Sequence, residues 1–232
     1  MPERKSTRLY THPFSRDYWR DAAAEFKDTK MLVFAALMIA LRVALKSVRI
    51  PIAPNLDIYV TLFVNALGAM TFGPVVAIAA AAVSDTLGCL LFPSGPYFFP
   101  FIFTEIAGSL IFALFLYRAE ITVKRVALCR FCVNFLVNIV LQTPIMALYY
   151  QMMLGKSYTW FNLPRIIKNL ALFPFEAALL VLFLRYAVPP LSRSGLIRSR
   201  VGELKLDWKN VLMLVGLTAA SAVIAWVYFT IK

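Results

Sequence analysis

The sequence predicts an all-α integral membrane protein with seven candidate transmembrane helices. Three observations predict it. Hydrophobic residues make up 61% of the 232 and charged residues only 16%, whereas a soluble domain is about 45–50% apolar. The apolar residues gather in seven segments, near 31–49, 57–72, 74–92, 101–118, 126–150, 164–188 and 211–231. Most approach the ~20 residues that cross a hydrocarbon core about 30 Å thick. Finally, Lys and Arg concentrate in alternate connections, the pattern of a polytopic chain.

Taken in order, residues 1–27 are polar and mixed in charge, with no apolar stretch of the kind a cleavable signal peptide carries. Their aromatic residues Tyr10, Phe14, Tyr18, Trp19 and Phe26 suit a short amphipathic helix at the membrane interface, against the alternative of an unfolded tail. The first span carries Ala36, Ala40 and Ala44 at four-residue intervals. These align on one face and let another helix approach closely, from this chain or another. Arg42 lies on a different face, free to snorkel or to meet a buried carboxylate.

Pro51 and Pro54 end that span and place residues 50–57 in a loop. The second and third spans are short and run together through Phe72-Gly73-Pro74. A second loop, Phe92 to Pro100, is uncharged and dense in aromatic and turn residues, including Tyr97 and Phe98. Those rings suit either stacking on a flat ligand or anchoring in the interface. Beyond the sixth apolar segment come a basic linker, 191–210, and a last apolar helix, 211–232.

With the N-terminus cytoplasmic, the tail to Lys30, the connection carrying Arg118, Lys124, Arg125 and Arg130, and the stretch from Arg185 to Lys209 lie inside. Only Lys46, Arg49, Lys156, Arg165, Lys168 and Lys232 lie outside. The net charge of +12 is therefore read as topology facing anionic lipid, not as a nucleic-acid surface.

Several chemistries are disfavoured. Cys129 and Cys132 have C-x-x-C spacing, but no second pair or nearby His completes a metal site, so they read as packing residues. His12 is the only histidine. No glycine-rich phosphate loop or G-x-S-x-G elbow occurs, and the sequence implies no cofactor.

The informative residues are polar ones inside apolar segments: Asp85, Glu105, Asn134, Asn138, Gln142, Lys168, Asn169 and Glu176. Burying such groups in hydrocarbon costs a few kcal/mol, about 2.5–3.5 for a charge, so they usually meet a partner or a ligand. Asn134, Asn138 and Gln142 recur at four-residue spacing on one helix. Arg165, Lys168 and Asn169 fall in the first turns of the sixth span, with Glu176 deeper. Most of this set is expected to face one cavity on the outer side, beneath the two loops. Interhelical hydrogen bonding is the alternative for each residue taken singly.

The motifs Asp28-Thr29-Lys30-Met31 with the alanine repeat, Pro54-Asn55-Leu56, Asn65 through Val76, Ser84-Asp85-Thr86-Leu87-Gly88, Phe92 through Phe98, Val133 through Asn138, and Leu163 through Leu170 with Pro174 and Glu176 occur in one order. Together they resemble the substrate-binding S component of energy-coupling factor (ECF) vitamin transporters, folate family, over roughly residues 28–190. The resemblance implies that residues 28–190 form a six-helix S-component-like bundle, to which the C-terminal transmembrane helix is extra, in a non-enzymatic, multi-pass cell-membrane subunit that captures a folate-like vitamin from outside. It also implies partners, a transmembrane coupling subunit and two ATPases, with Ala36, Ala40 and Ala44 packing on the coupling subunit. The candidate substrate-binding set is then Asn55, Asp85, Tyr97, Phe98, Glu105, Asn138, Gln142, Arg165, Lys168, Asn169 and Glu176. A flat pterin suits the aromatic loop and the carboxylates or amides, and an anionic tail suits Arg165 and Lys168.

Two features depart from the family pattern: the seventh helix, and carboxylates at Glu105 and Glu176 that an anionic tail would oppose unless they are paired. A pyrimidine, pyridoxine or pantothenate compound remains an alternative ligand. From other classes, an intramembrane enzyme using Asp85 and Glu105 as acid and base, or an accessory subunit without ligand, are the competing readings.

Overall fold

The structure is a computed structural model that describes residues 9–53, 56–93, 96–160, 162–197, 199–201 and 207–231. Helix α1 (Arg16–Ala24) is followed by a short 3-10 turn and by α2 (Thr29–Ala44). A β-hairpin, β1 (Arg49–Ala53) and β2 (Leu56–Tyr59), leads into α3 (Thr61–Leu91) and α4 (Phe101–Leu116). Strand β3 (Glu120–Ile121) precedes the long α5 (Val123–Leu154), then come α6 (Leu163–Arg193), β4 (Arg200–Val201) and α7 (Trp208–Ile231).

The seven apolar segments thus become six helical elements, because the second and third are continuous in α3. They are not one rod. Gly73 breaks the element with φ 75 and ψ 178, immediately before Pro74. Asn65 and Asp85 would sit about 30 Å apart on a straight helix. Instead both lie beside the end of α2: Ser109 Oγ accepts from Arg42 and donates to Asn65, and Lys46 Nζ lies 4.0 Å from Asp85. The two halves therefore fold back on each other. A Cβ at position 73 would stand 2.9 Å from the Tyr117 ring, and its backbone lies in a region that glycine alone adopts freely. Gly73→Ala is expected to destabilise the protein by about 1–3 kcal/mol, seen as a lower unfolding midpoint in detergent; an unchanged midpoint would show that the turn relaxes.

Among the described residues, α3, α5 and α6 are by length and composition sufficient to cross a membrane, the length of α3 being divided between two arms at Gly73, while α4 and the Trp208–Val223 part of α7 are shorter apolar helices. The sixteen residues of α2 reach about 24 Å. The bundle core joins Met38, Met70, Phe72, Phe112, Leu116, Leu180 and Leu184 from α2, α3, α4 and α6.

Residues 9–27 pack on the protein. Tyr18 is 1% exposed, stacks edge-on against Tyr117 at 5.5 Å and donates to the Ala113 carbonyl at 3.1 Å. Burial pushes its hydroxyl well above the ordinary tyrosine range, so it remains a donor. Arg118, buried just after α4, pairs with Asp21 and with Glu25, the latter at 3.0 Å. This end of the bundle also holds the β3–β4 pair and the bond from Ser199 to the Leu116 carbonyl at 2.7 Å. The hairpin strands and residues 92–93 and 96–100 lie at the other end.

Candidate substrate chamber

At the hairpin end, two chambers abut. The larger, of about 660 Å³, is lined from α2, the hairpin, α3, α4, α5 and α6; the smaller is about 360 Å³, and they share Lys46, Thr104 and Glu105. Local backbone irregularity builds both. Asn162 caps α6 by accepting the Arg165 N–H at 3.2 Å, with Pro164 in the first turn, so Lys168 and Asn169 enter the chamber one turn later. On α5, residues Val133–Leu141 form a π-helical stretch ahead of Pro144. Such turns re-aim side chains and concentrate at functional sites; here the stretch carries Asn134 and Asn138.

Charge in the larger chamber is largely paired. Arg130 holds Glu176 through two contacts, Nη2 to Oε1 at 2.7 Å and Nε to Oε2 at 2.9 Å. Asn134 also donates to Glu176, at 2.8 Å. Arg42 pairs with Glu105 at 2.7 Å, and Arg49 with Asp57 at 3.2 Å. Lys168 has no ion-pair partner among the described residues. Asn138 donates to Asn134 and to Asn169, at 3.0 and 3.1 Å, making a fixed amide rail along the α5–α6 wall.

The predicted site residues divide between the chambers. Glu105 lines both; Asn138, Lys168, Asn169 and Glu176 line the larger; Asp85, Tyr97, Phe98 and Gln142 line the smaller. The amide stripe on α5 is therefore split, with Gln142 facing the aromatic chamber. There Phe98, 5% exposed, packs against Phe101 and Tyr149 at 5.6 and 5.4 Å. Asn55 lies outside the described residues.

Arg165 departs from expectation. Its guanidinium donates to the Asn138 carbonyl at 2.8 Å and to the Tyr158 hydroxyl at 3.1 Å, and it borders a separate apolar pocket. It clamps α6 to α5 instead of lining either chamber. Arg130 also differs from its topological reading: it is 7% exposed and forms part of the chamber wall.

Sequence reasoning left Lys46, Arg49, Asp57 and Arg130 out of the site. The first two and Arg130 were absorbed into a topology count, which treats every basic residue near a helix end alike. For Arg130 a signal existed: a cation in an apolar helix requires a buried carboxylate, and Glu176 is one.

This arrangement of a chamber lined by paired ions within a bundle of membrane helices is that of a membrane subunit that holds a polar small molecule. The chain belongs to the family of S components of ECF-type riboflavin transporters, whose model matches residues 26–182. Among individual relatives, it is 30% identical over 151 residues to the "Folate transporter FolT" of Clostridium novyi (strain NT), covering 65% of this chain and 86% of that protein. It is 28% identical over 159 residues to a "Folate transporter FolT" of Leuconostoc mesenteroides, covering 66% and 83%. A solved structure described as FolT bound with folic acid superposes with a TM-score of 0.56 at 30% identity, covering 65% of this chain and 89% of that one.

Proposed function

We propose that this S component captures folate at the hairpin end, facing outward, and passes it to the cytoplasm with an ATP-driven module. The observation that carries the anionic part of the reading is Lys168, a cation left without an ion-pair partner among the described residues while the neighbouring carboxylates are paired. A folate glutamate tail is a dianion that Lys168 suits, with Lys46 lining the same chamber. The pairing of Glu105 with Arg42 and of Glu176 with Arg130 removes the repulsion that unpaired carboxylates would exert. The smaller chamber, walled by Tyr97, Phe98 and Tyr149 with Asp85 and Gln142 at its edge, suits a flat pterin that stacks and hydrogen-bonds. The two FolT relatives and the folic-acid-bound neighbour support the same ligand.

The test is native mass spectrometry of the detergent-purified chain, followed by calorimetric titration with folic acid and, separately, riboflavin. A folate-sized adduct and saturable folic acid binding without turnover support the proposal. Preference for riboflavin would reassign the ligand, and substrate turnover would make the protein an enzyme.

The energising partners follow from the same reading. Ala36, Ala40 and Ala44 are all exposed on α2, flanked by exposed Val33, Leu37 and Leu41. No described part of this chain covers that face, which suits close packing by a helix of the coupling subunit. Ala40→Trp is expected to abolish co-purification with the coupling subunit and its two ATPases while folic acid affinity stays within about twofold. Intact assembly would remove the alanine face from the interface. In this orientation α1 and the N-terminus are cytoplasmic.

A further inference from the structure

Helix α7 lies beyond residues 26–182, the part the family shares. It packs along α6 and meets it where the backbone bonding of α6 is interrupted. Pro174 has no N–H, and its ring crowds the carbonyl four residues back, so the Leu170 carbonyl loses its helical donor. Ser221 of α7 is 4% exposed, and its Oγ donates to that carbonyl at 3.4 Å. From α5, Asn134 Nδ2 donates to the preceding carbonyl, that of Asn169, at 3.3 Å. Two successive carbonyls ahead of Pro174 are thus held by side chains of different helices, one from α5, which contributes to the chamber wall, and one from α7, which has no residue in its lining among those described.

We infer that Ser221 is a positioning residue: it supplies α6 with the hydrogen bond that Pro174 withholds, and so fixes the Lys168–Asn169 wall of the chamber from behind. The extra helix is then a brace for the binding wall. Within a bilayer no water replaces a lost donor, so removing the hydroxyl leaves the Leu170 carbonyl unsatisfied and α6 free to open at residues 170–174. Asn169 and Lys168 immediately precede that point, and their side chains line the chamber. The inference rests on the reading of the chamber as a ligand site, and its test separates the two.

The full chain in detergent is compared as wild type, Ser221→Ala, Pro174→Ala and the double variant. Two quantities are read: hydrogen–deuterium exchange of peptides covering residues 163–178, without ligand, and folic acid affinity. Ser221→Ala is expected to speed exchange in that segment and weaken folic acid binding about three- to tenfold, while Ser221→Thr retains both. In the Pro174→Ala background residue 174 supplies an N–H to Leu170, and Ser221→Ala should then change neither. Unchanged exchange in Ser221→Ala, or an equal loss in both backgrounds, overturns the brace. Folic acid binding with a flat exchange cycle sinks the brace and keeps the ligand; the reverse pattern keeps the brace and sinks the ligand.

Discussion

Lys168→Glu is expected to weaken folic acid binding by about 30-fold or more, because a charge removed from a ligand contact costs about 2 kcal/mol at the low end. Reversal adds repulsion to the loss of attraction. The lower end applies because Lys168 is only half-buried and its chamber opens to water, which screens the pair. Lys168→Gln removes the attraction alone and should cost about tenfold. Calorimetric titration at two salt concentrations checks both, and the wild-type affinity should fall with salt more steeply than that of the Gln variant. Identical affinities for all three proteins would place the anionic tail elsewhere. Arg165→Ala is a useful contrast, since its guanidinium holds the Asn138 carbonyl and Tyr158 instead of entering the chamber. It should act through the α5–α6 wall, with little change in salt dependence.

Arg130→Met is expected to destabilise the fold by about 3–5 kcal/mol, the usual consequence of leaving one member of a buried ion pair alone. Glu176 is 6% exposed; Arg130 contacts both its oxygens, and Asn134 also donates to Oε2. Without Arg130 its carboxylate loses its only ion-pair partner among the described residues. The pair replaced together, Arg130→Met with Glu176→Met, should recover much of the lost stability, because both desolvation penalties vanish at once. Thermal unfolding of the purified variants reads the difference. If the single and double variants melt together, the pair is not coupled as its geometry requires.

The expected behaviour of these residues traces how much was legible beforehand. Composition and segment length determine the membrane class, because a bilayer admits only chains whose backbone groups are satisfied internally. The cost of polar groups in hydrocarbon singles out Asp85, Glu105, Asn134, Asn138, Gln142, Lys168, Asn169 and Glu176 without any coordinates. A proline after a glycine marks the break in α3, although not that its halves fold back. In the sequence Arg42 is free to snorkel or to meet a buried carboxylate, and only the packed helices show that it meets Glu105.

The tertiary structure alone decided which polar residues meet. One-dimensional spacing gives the face of a helix but not the rotation of that helix against its neighbours. Gln142 and Asn138 therefore face different chambers, although four residues separate them. Arg165 and Lys168, three apart on α6, likewise diverge into a clamp and a chamber wall. The role of α7 shows the same limit in its sharpest form: Pro174 announces a carbonyl without a donor, and only the packing of α7 on α6 reveals that Ser221 supplies one. Burial cost is a local property that each residue carries in the sequence, whereas partner choice is a long-range one that exists only after the helices pack.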